Sequence, residues 1–372
     1  MFKNKSFTIT IVVVIIVCIV VLAGIFLTSG RGEDAVVQPL TNSEFIEADF
    51  RTTGDVSVTT KNFTESKGLE LVLDAPIRDN SELLILGPQY IFFNRGGQLQ
   101  AGSELLTEQR FTPSALYDSE GGIIVHHINS PVIINNDVVS LPQNVLSIVP
   151  FNGQYIYLEF LNSGDLGVYQ TSSVTINQSQ NELALITPQS RVDNAEVRII
   201  NNIPYVLIYD SLDRSNIEIW QLDNGNIRKI RDITNVESLR FLQNGILYTD
   251  QLTVESDLTP FKTNFLDLST PDQPFIKELD ITQVLAQNNI YGSVYASRCT
   301  SDGADLLYCV VKQSNIDPNF AQARDVLFTY DLETGKIEYP YPNLIFSAGN
   351  IYYKRGQLYI TSQETGQLYT FQ

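Results

Sequence analysis

Apolar and polar residues alternate with a period of two along most of the chain, and short turns rich in Gly and Asn interrupt them at intervals. The unit is clearest in the last stretch. Between Ser347 and Gln372 one phrase occurs three times: Ala348-Gly349-Asn350-Ile351-Tyr352, Arg355-Gly356-Gln357-Leu358-Tyr359 and Thr365-Gly366-Gln367-Leu368-Tyr369. Each Gly is expected to supply the positive φ of a tight turn. Each aliphatic-aromatic pair restarts a pleated strand with one side chain per face. Looser copies lie upstream at Gly87–Phe93, Gly122–Val125, Pro131–Ile134, Asn152–Tyr157, Asn202–Leu207, Asn244–Tyr248 and Leu306–Tyr308. Partner hairpins fill the intervals, as in Ile217–Leu222, the turn Asp223-Asn224-Gly225-Asn226, and Ile227. Successive copies lie about 30 to 60 residues apart, which brackets the roughly 40–50 residues of a four-stranded propeller blade. Helical periodicity is confined to Asp280–Ala286, short enough to cap a loop.

The amino terminus breaks the pattern. Thr8 to Thr28 runs 21 residues without a charge. At about 1.5 Å per residue this helix covers the roughly 30 Å hydrocarbon core of a bilayer. The run is too long for a signal-peptide core and lacks an Ala-x-Ala-like cleavage site. Lys3 and Lys5 precede it, while Glu33 and Asp34 follow Arg31, so the positive end is expected to stay in the cytoplasm. The expected organisation is a cytoplasmic stub (1–6), a transmembrane signal anchor (7–28), a polar stalk (29–44) and an extracytoplasmic β domain (45–372). The cell membrane would hold the protein by a single pass. Alternating segments between Phe45 and Leu73 are free to complete the last blade.

Composition narrows the function classes. Net charge is −18, and setting aside Lys3 and Lys5 leaves 22 basic against 42 acidic residues. Such a surface repels phosphate backbones, so nucleic-acid binding is disfavoured. Only His126 and His127 are present, and neighbours on a strand point to opposite faces, which removes most Ser-His-Asp and Cys-His mechanisms. No phosphate-binding Gly loop, dinucleotide fingerprint or cofactor signature occurs, so no catalytic residue and no cofactor are assigned. Cys18 lies in the apolar run. Cys299 and Cys309 flank a turn-rich segment and are expected to form a cross-strand disulfide in an oxidising compartment. Asp210, Asp213 and Asn216 offer oxygen ligands in one hairpin loop, a candidate calcium site. That loop lacks EF-hand spacing and carries Arg214 in its middle, so an ordinary polar turn is the competing reading. The 18 Tyr and 19 Phe are expected chiefly to fill space between sheets.

The Asn/Gly-x-aliphatic-aromatic meanders, each followed by a hairpin like Tyr330-Asp331-Leu332-Glu333-Thr334-Gly335-Lys336-Ile337, resemble the WD40-like and quinoprotein-like β-propellers of bacterial envelope proteins. The resemblance covers about residues 83–372 and holds at fold level; no Trp-Asp dipeptide is present. It implies an all-β propeller of about seven blades, with six or eight also compatible, closed by pairing an early strand with the last blade. The alternative arrangement of the same strands is a pair of two-sheet sandwiches. The expected function is a non-catalytic binding or scaffolding module for an envelope protein or a cell-wall glycan. Its rival is a carbohydrate-active hydrolase or lyase using paired carboxylates, at least one with a perturbed pKa.

Overall fold

The structure, a computed structural model, describes residues 68–371 apart from 128–130, 136, 174–180, 190–191, 193, 211–214, 224, 251–261, 271–272, 289, 291, 293, 304, 313–324, 342–343 and 345. The anchor expected at 7–28, the stalk at 29–44 and the first part of the β domain lie outside these residues. Among the described residues no helix is long and apolar enough to cross a membrane.

The described strands form seven antiparallel four-stranded sheets. After β1 (Leu69–Leu73) come blade 1, β2 (Leu83–Leu86), β3 (Gln89–Phe93), β4 (Gln98–Ala101) and β5 (Glu104–Arg110), and blade 2, β6 (Pro113–Ser119), β7 (Gly122–His127), β8 (Val132–Asn135) and β9 (Asp137–Ser140). Blade 3 is β10 (Val145–Phe151), β11 (Gln154–Phe160), β12 (Leu166–Thr171) and β13 (Asn181–Ile186). Blade 4 is β14 (Asn194–Ile200), β15 (Ile203–Tyr209), β16 (Ile217–Asp223) and β17 (Asn226–Ile233). Blade 5 is β18 (Val236–Phe241), β19 (Gly245–Asp250), β20 (Lys262–Asp267) and β21 (Phe275–Leu279). Helix α1 (Ile281–Gln287) then leads to blade 6, β22 (Cys299–Ser301), β23 (Leu306–Lys312), β24 (Asp325–Asp331) and β25 (Ile337–Tyr341). Blade 7 is β26 (Ala348–Lys354), β27 (Gln357–Ser362) and β28 (Leu368–Phe371), with β1 as its outer strand.

This is a seven-bladed β-propeller, and its ring is closed. Leu69 pairs with Phe371, Glu70 with Thr370 and Leu71 with Tyr369. The blade 7 to blade 1 interface is knitted further by side chains. Asn350 Nδ2 donates to the Arg78 carbonyl (2.9 Å), Asn350 Oδ1 accepts from the Asn80 amide (2.7 Å), and the Tyr352 hydroxyl donates to the Ser81 carbonyl (2.7 Å). The core lies between the blades, not within one sandwich. Separate apolar clusters fill the interfaces of blades 1 and 2, 2 and 3, 3 and 4, 4 and 5, 5 and 6, 6 and 7, and 7 and 1. Sandwiches would instead bury their strands around two cores. The aromatics do the packing expected of them: Tyr157, Tyr205, Tyr209, Tyr352, Phe92, Phe93 and Phe328 are among the largest fully buried side chains.

Local chemistry explains the meander. Each upstream phrase that restarts after a turn falls in the second strand of a blade, at β3, β7, β11, β15, β19 and β23, and the segment Pro131–Ile134 falls on β8. Asn152-Gly153 (φ +51° and +72°) and Arg355-Gly356 (+53° and +76°) take the left-handed pair that a two-residue hairpin needs. Gly349 differs from its counterparts. It lies inside β26 without a positive φ, and a Cβ there would stand 2.7 Å from Thr361 Oγ1 and 2.9 Å from Asp79 Oδ1. It is kept small by close approach, not by a turn. Helix α1 buries Ile281 and Leu285, four residues apart on one face, against blades 5 and 6. Cys299 and Cys309 are directly paired across β22 and β23, and both are fully buried in a disulfide bond.

Candidate functional site

The inner strand of each blade runs along the ring's centre, and most of these strands end in a short hairpin. At that end two adjoining cavities open, of about 450 Å³ and 360 Å³. Both are lined by Glu82, Phe241, Leu242, Gln243 and Lys354. Tyr117, Phe151 and Arg198 complete the first; Arg240, Asp302 and Arg355 complete the second. All seven blades contribute, so a recess of this composition exists only when the ring is assembled.

Its charges are organised in two tiers. In the deeper tier, Arg198 is bound to Glu196 (2.7 Å) and donates to the Tyr117 hydroxyl (3.0 Å), and its guanidinium lies 4.4 Å from the centre of the Phe241 ring. The Tyr209 hydroxyl donates to the other oxygen of Glu196. Burial alone would lower the pKa of Arg198, but Glu196, Tyr117, Tyr209 and Glu82 together outweigh it and hold the cation firmly charged. In the outer tier Arg240 lies 3.9 Å from Glu82, donates to the Ile351 carbonyl (3.1 Å) and sits beside the Tyr352 ring. Arg355 donates to the Gly87 carbonyl at 2.8 Å. The side chain of Lys354, which lines both cavities, has no hydrogen-bond or salt-bridge partner among the described residues.

The carboxyl group of Glu82 reports the sign of the field. It is deep in the ring, yet its side chain keeps 31% exposure because it faces the cavities. Burial pushes its pKa up; Arg240, Lys354 and Arg198 together overcome this and hold it below the ordinary value. Burial also pushes the Tyr117 hydroxyl up to about 12, against the opposing pull of Arg198, and raises that of Tyr352. None of these three groups therefore exchanges a proton near neutral pH. These three groups offer fixed charge and hydrogen bonds, not a proton donor and acceptor pair.

The residues singled out from the sequence lie elsewhere. Asp210 and Asn216 line a separate cavity of about 340 Å³ at the edge of blade 4, with Glu218, Lys229 and Asp232. Asp213 lies outside the described residues. Lys229 already places a cation among these oxygens, 2.7 Å from Asp232 and 3.4 Å from Glu218. Among the described residues no group of three or more His, Cys, Asp or Glu is arranged to hold a metal ion. His126 is buried, its Nε2 within 2.7 Å of the Ile148 carbonyl oxygen and its ring edge-on to Tyr117 at 5.2 Å. Trp220 donates to Glu218 (3.2 Å) on its own strand face. The central charged residues escaped the sequence reading because Glu82 and Lys354 stand more than 270 positions apart. Only ring closure makes them neighbours. The one local signal is that Glu196 and Arg198, two residues apart on a strand, interrupt an otherwise apolar segment.

No protein-family model matches the chain, and no curated protein matches it. Solved structures do resemble it. BBS1N in complex with ARL6DN is 10% identical, with a TM-score of 0.49 over 83% of this chain and 96% of that chain. The β-propeller domain of the Trilobed protease from Pyrococcus furiosus is 8% identical, with a TM-score of 0.42 over 82% and 96%. BamB from Moraxella catarrhalis is 12% identical, with a TM-score of 0.41 over 82% and 97%. These likenesses concern the fold alone.

Proposed function

We propose that the chain is a membrane-tethered, extracytoplasmic β-propeller that acts as a non-catalytic binding or scaffolding module for an envelope protein or glycan. In this reading residues 1–6 stay in the cytoplasm, 7–28 span the membrane once, and 29–44 form the stalk that carries the propeller outside. The uncharged run Thr8–Thr28 supports the tether. The Cys299–Cys309 disulfide supports an oxidising compartment.

One observation carries the choice of binding over catalysis. Glu82, the carboxylate that both cavities share, lies 3.9 Å from Arg240 and is held below its ordinary pKa. A glycoside-cleaving enzyme needs a carboxyl group held protonated beside a second one. Asp250 is raised, by burial against its hydrogen bond from Asn264, but it stands on β19 outside the recess. The test uses the whole chain, solubilised in neutral detergent, as bait against envelope extract and against a panel of cell-wall glycans. Retention of a partner or glycan that stays chemically intact is expected. Release of new reducing ends or unsaturated sugars would overturn the reading.

A further inference from the structure

We propose that the central recess is an oxyanion site, which takes a phosphate or carboxylate group of a small or linear ligand between Lys354 and Arg240. The inference rests on the binding reading above and names the chemistry that the recess would recognise.

The chain as a whole is strongly acidic, with 42 acidic against 24 basic residues. The lining of the recess reverses that balance: Arg198, Arg240, Lys354 and Arg355 face Glu82 and Asp302. A concave site with one sign of charge focuses its field into the opening, so a local excess of cations attracts anions that the outer surface repels. Glu82 is the resident anion, and its depressed pKa shows that the field favours negative charge there despite burial.

The cations are not equally available. Arg198 is committed to Glu196 and Tyr117, and Arg355 to the Gly87 carbonyl. Arg240 spends one terminal nitrogen on the Ile351 carbonyl and holds Glu82 only at 3.9 Å, beyond hydrogen-bond distance. The Lys354 ammonium has no hydrogen bond and no ion pair among the described residues, and it lines both cavities. An incoming oxyanion thus finds a compact point charge with three donors and a planar guanidinium with unused donors, the pair of chemistries that bind phosphate and carboxylate. The adjoining volumes of about 450 Å³ and 360 Å³ admit small groups or the unit of a linear polymer, whereas a folded partner's surface would rest on the hairpins around them.

The experiment is calorimetric titration of the whole chain in neutral detergent with inorganic phosphate, with glucuronate and with glucose. Saturable binding of phosphate, glucuronate or both is expected, weakening as salt is added, with no uptake of glucose. Phosphate alone would identify a phosphorylated ligand as the source, and glucuronate alone a uronate. Lys354→Met and Lys354→Gln should each weaken the binding about tenfold, the loss of one charged hydrogen bond. Lys229→Met, at the edge of blade 4, should leave it unchanged. Neither Lys354 variant removes a hydrogen bond of the described residues, so both should retain the wild-type fold, which far-UV circular dichroism of all three variants checks. The proposal is overturned if neither anion saturates, if glucose binds equally well, or if both Lys354 variants bind like the wild type. A chain that retains an envelope partner yet takes up neither anion loses this inference and keeps the binding reading.

Discussion

The central recess and the cavity at the edge of blade 4 use the same residue types in opposite balance. At the edge, Asp210, Glu218 and Asp232 surround Lys229, whose ammonium is held by two carboxylates and by Gln189 at 2.7 Å. At the centre, the cations outnumber the carboxylates and Lys354 is left uncommitted. At the edge the cation is already taken: Glu218 and Asp232 share Lys229. The centre is the exception, and it is built from inner strands of different blades. The difference teaches that cavity size and carboxylate count are poor guides to a site. Which charges already have partners is the better one.

The comparison can be broken most severely at Glu196. Its side chain is only 5% exposed and is the ion partner of Arg198. Glu196→Ala leaves a buried guanidinium uncompensated and should cost about 3–5 kcal/mol in urea unfolding. The disulfide comes next, because it pins β22, which carries Thr300 and Ser301 of the recess wall. Replacing Cys299 and Cys309 together by Ala should cost about 2–3 kcal/mol and loosen the central recess without altering the edge cavity, as read by hydrogen exchange of β22 and β17.

Glu82 supplies a smaller, pH-dependent effect. Its folded pKa lies below its unfolded value, so its contribution is present above the ordinary carboxyl range and is lost as pH falls through the folded value. Unfolding measured between roughly pH 6 and pH 3 should lose less stability in Glu82→Gln than in the wild type. An equal or steeper loss in the variant would contradict the field assigned to the recess. The smallest effect belongs to the edge. Asp232 is 56% exposed, and Asp232→Asn leaves Lys229 with Glu218 and solvent, so stability should change by less than about 0.5 kcal/mol.

Much of the ring was legible because its information is local. Asn152-Gly153 and Arg355-Gly356 name their hairpins directly, and Tyr155, Tyr205 and Tyr359 mark second strands by alternation. Leu69–Leu73 could be matched to the last blade because a propeller needs a closing strand. Gly349 was misread as a turn residue, since a glycine kept small by Thr361 and Asp79 looks the same in sequence as one kept for its φ. The recess was illegible for a different reason. Arg198, Arg240 and Lys354 each read as an ordinary polar position on a short strand, Glu82 as one just before a strand, and their partnership depends on the closed ring. Asp210, Asp213 and Asn216 drew attention because they are close in sequence, which is a weaker bond than closeness across blades.

The most direct test of the account is hydrogen exchange of the whole chain, free and loaded with the ligand it retains from envelope extract. Binding at the ring's centre predicts slowed exchange at the hairpin end, at residues 152–153, 201–202, 242–245 and 355–356. Protection confined to residues 216–234 at the edge of blade 4, with the central hairpins unchanged, would contradict it.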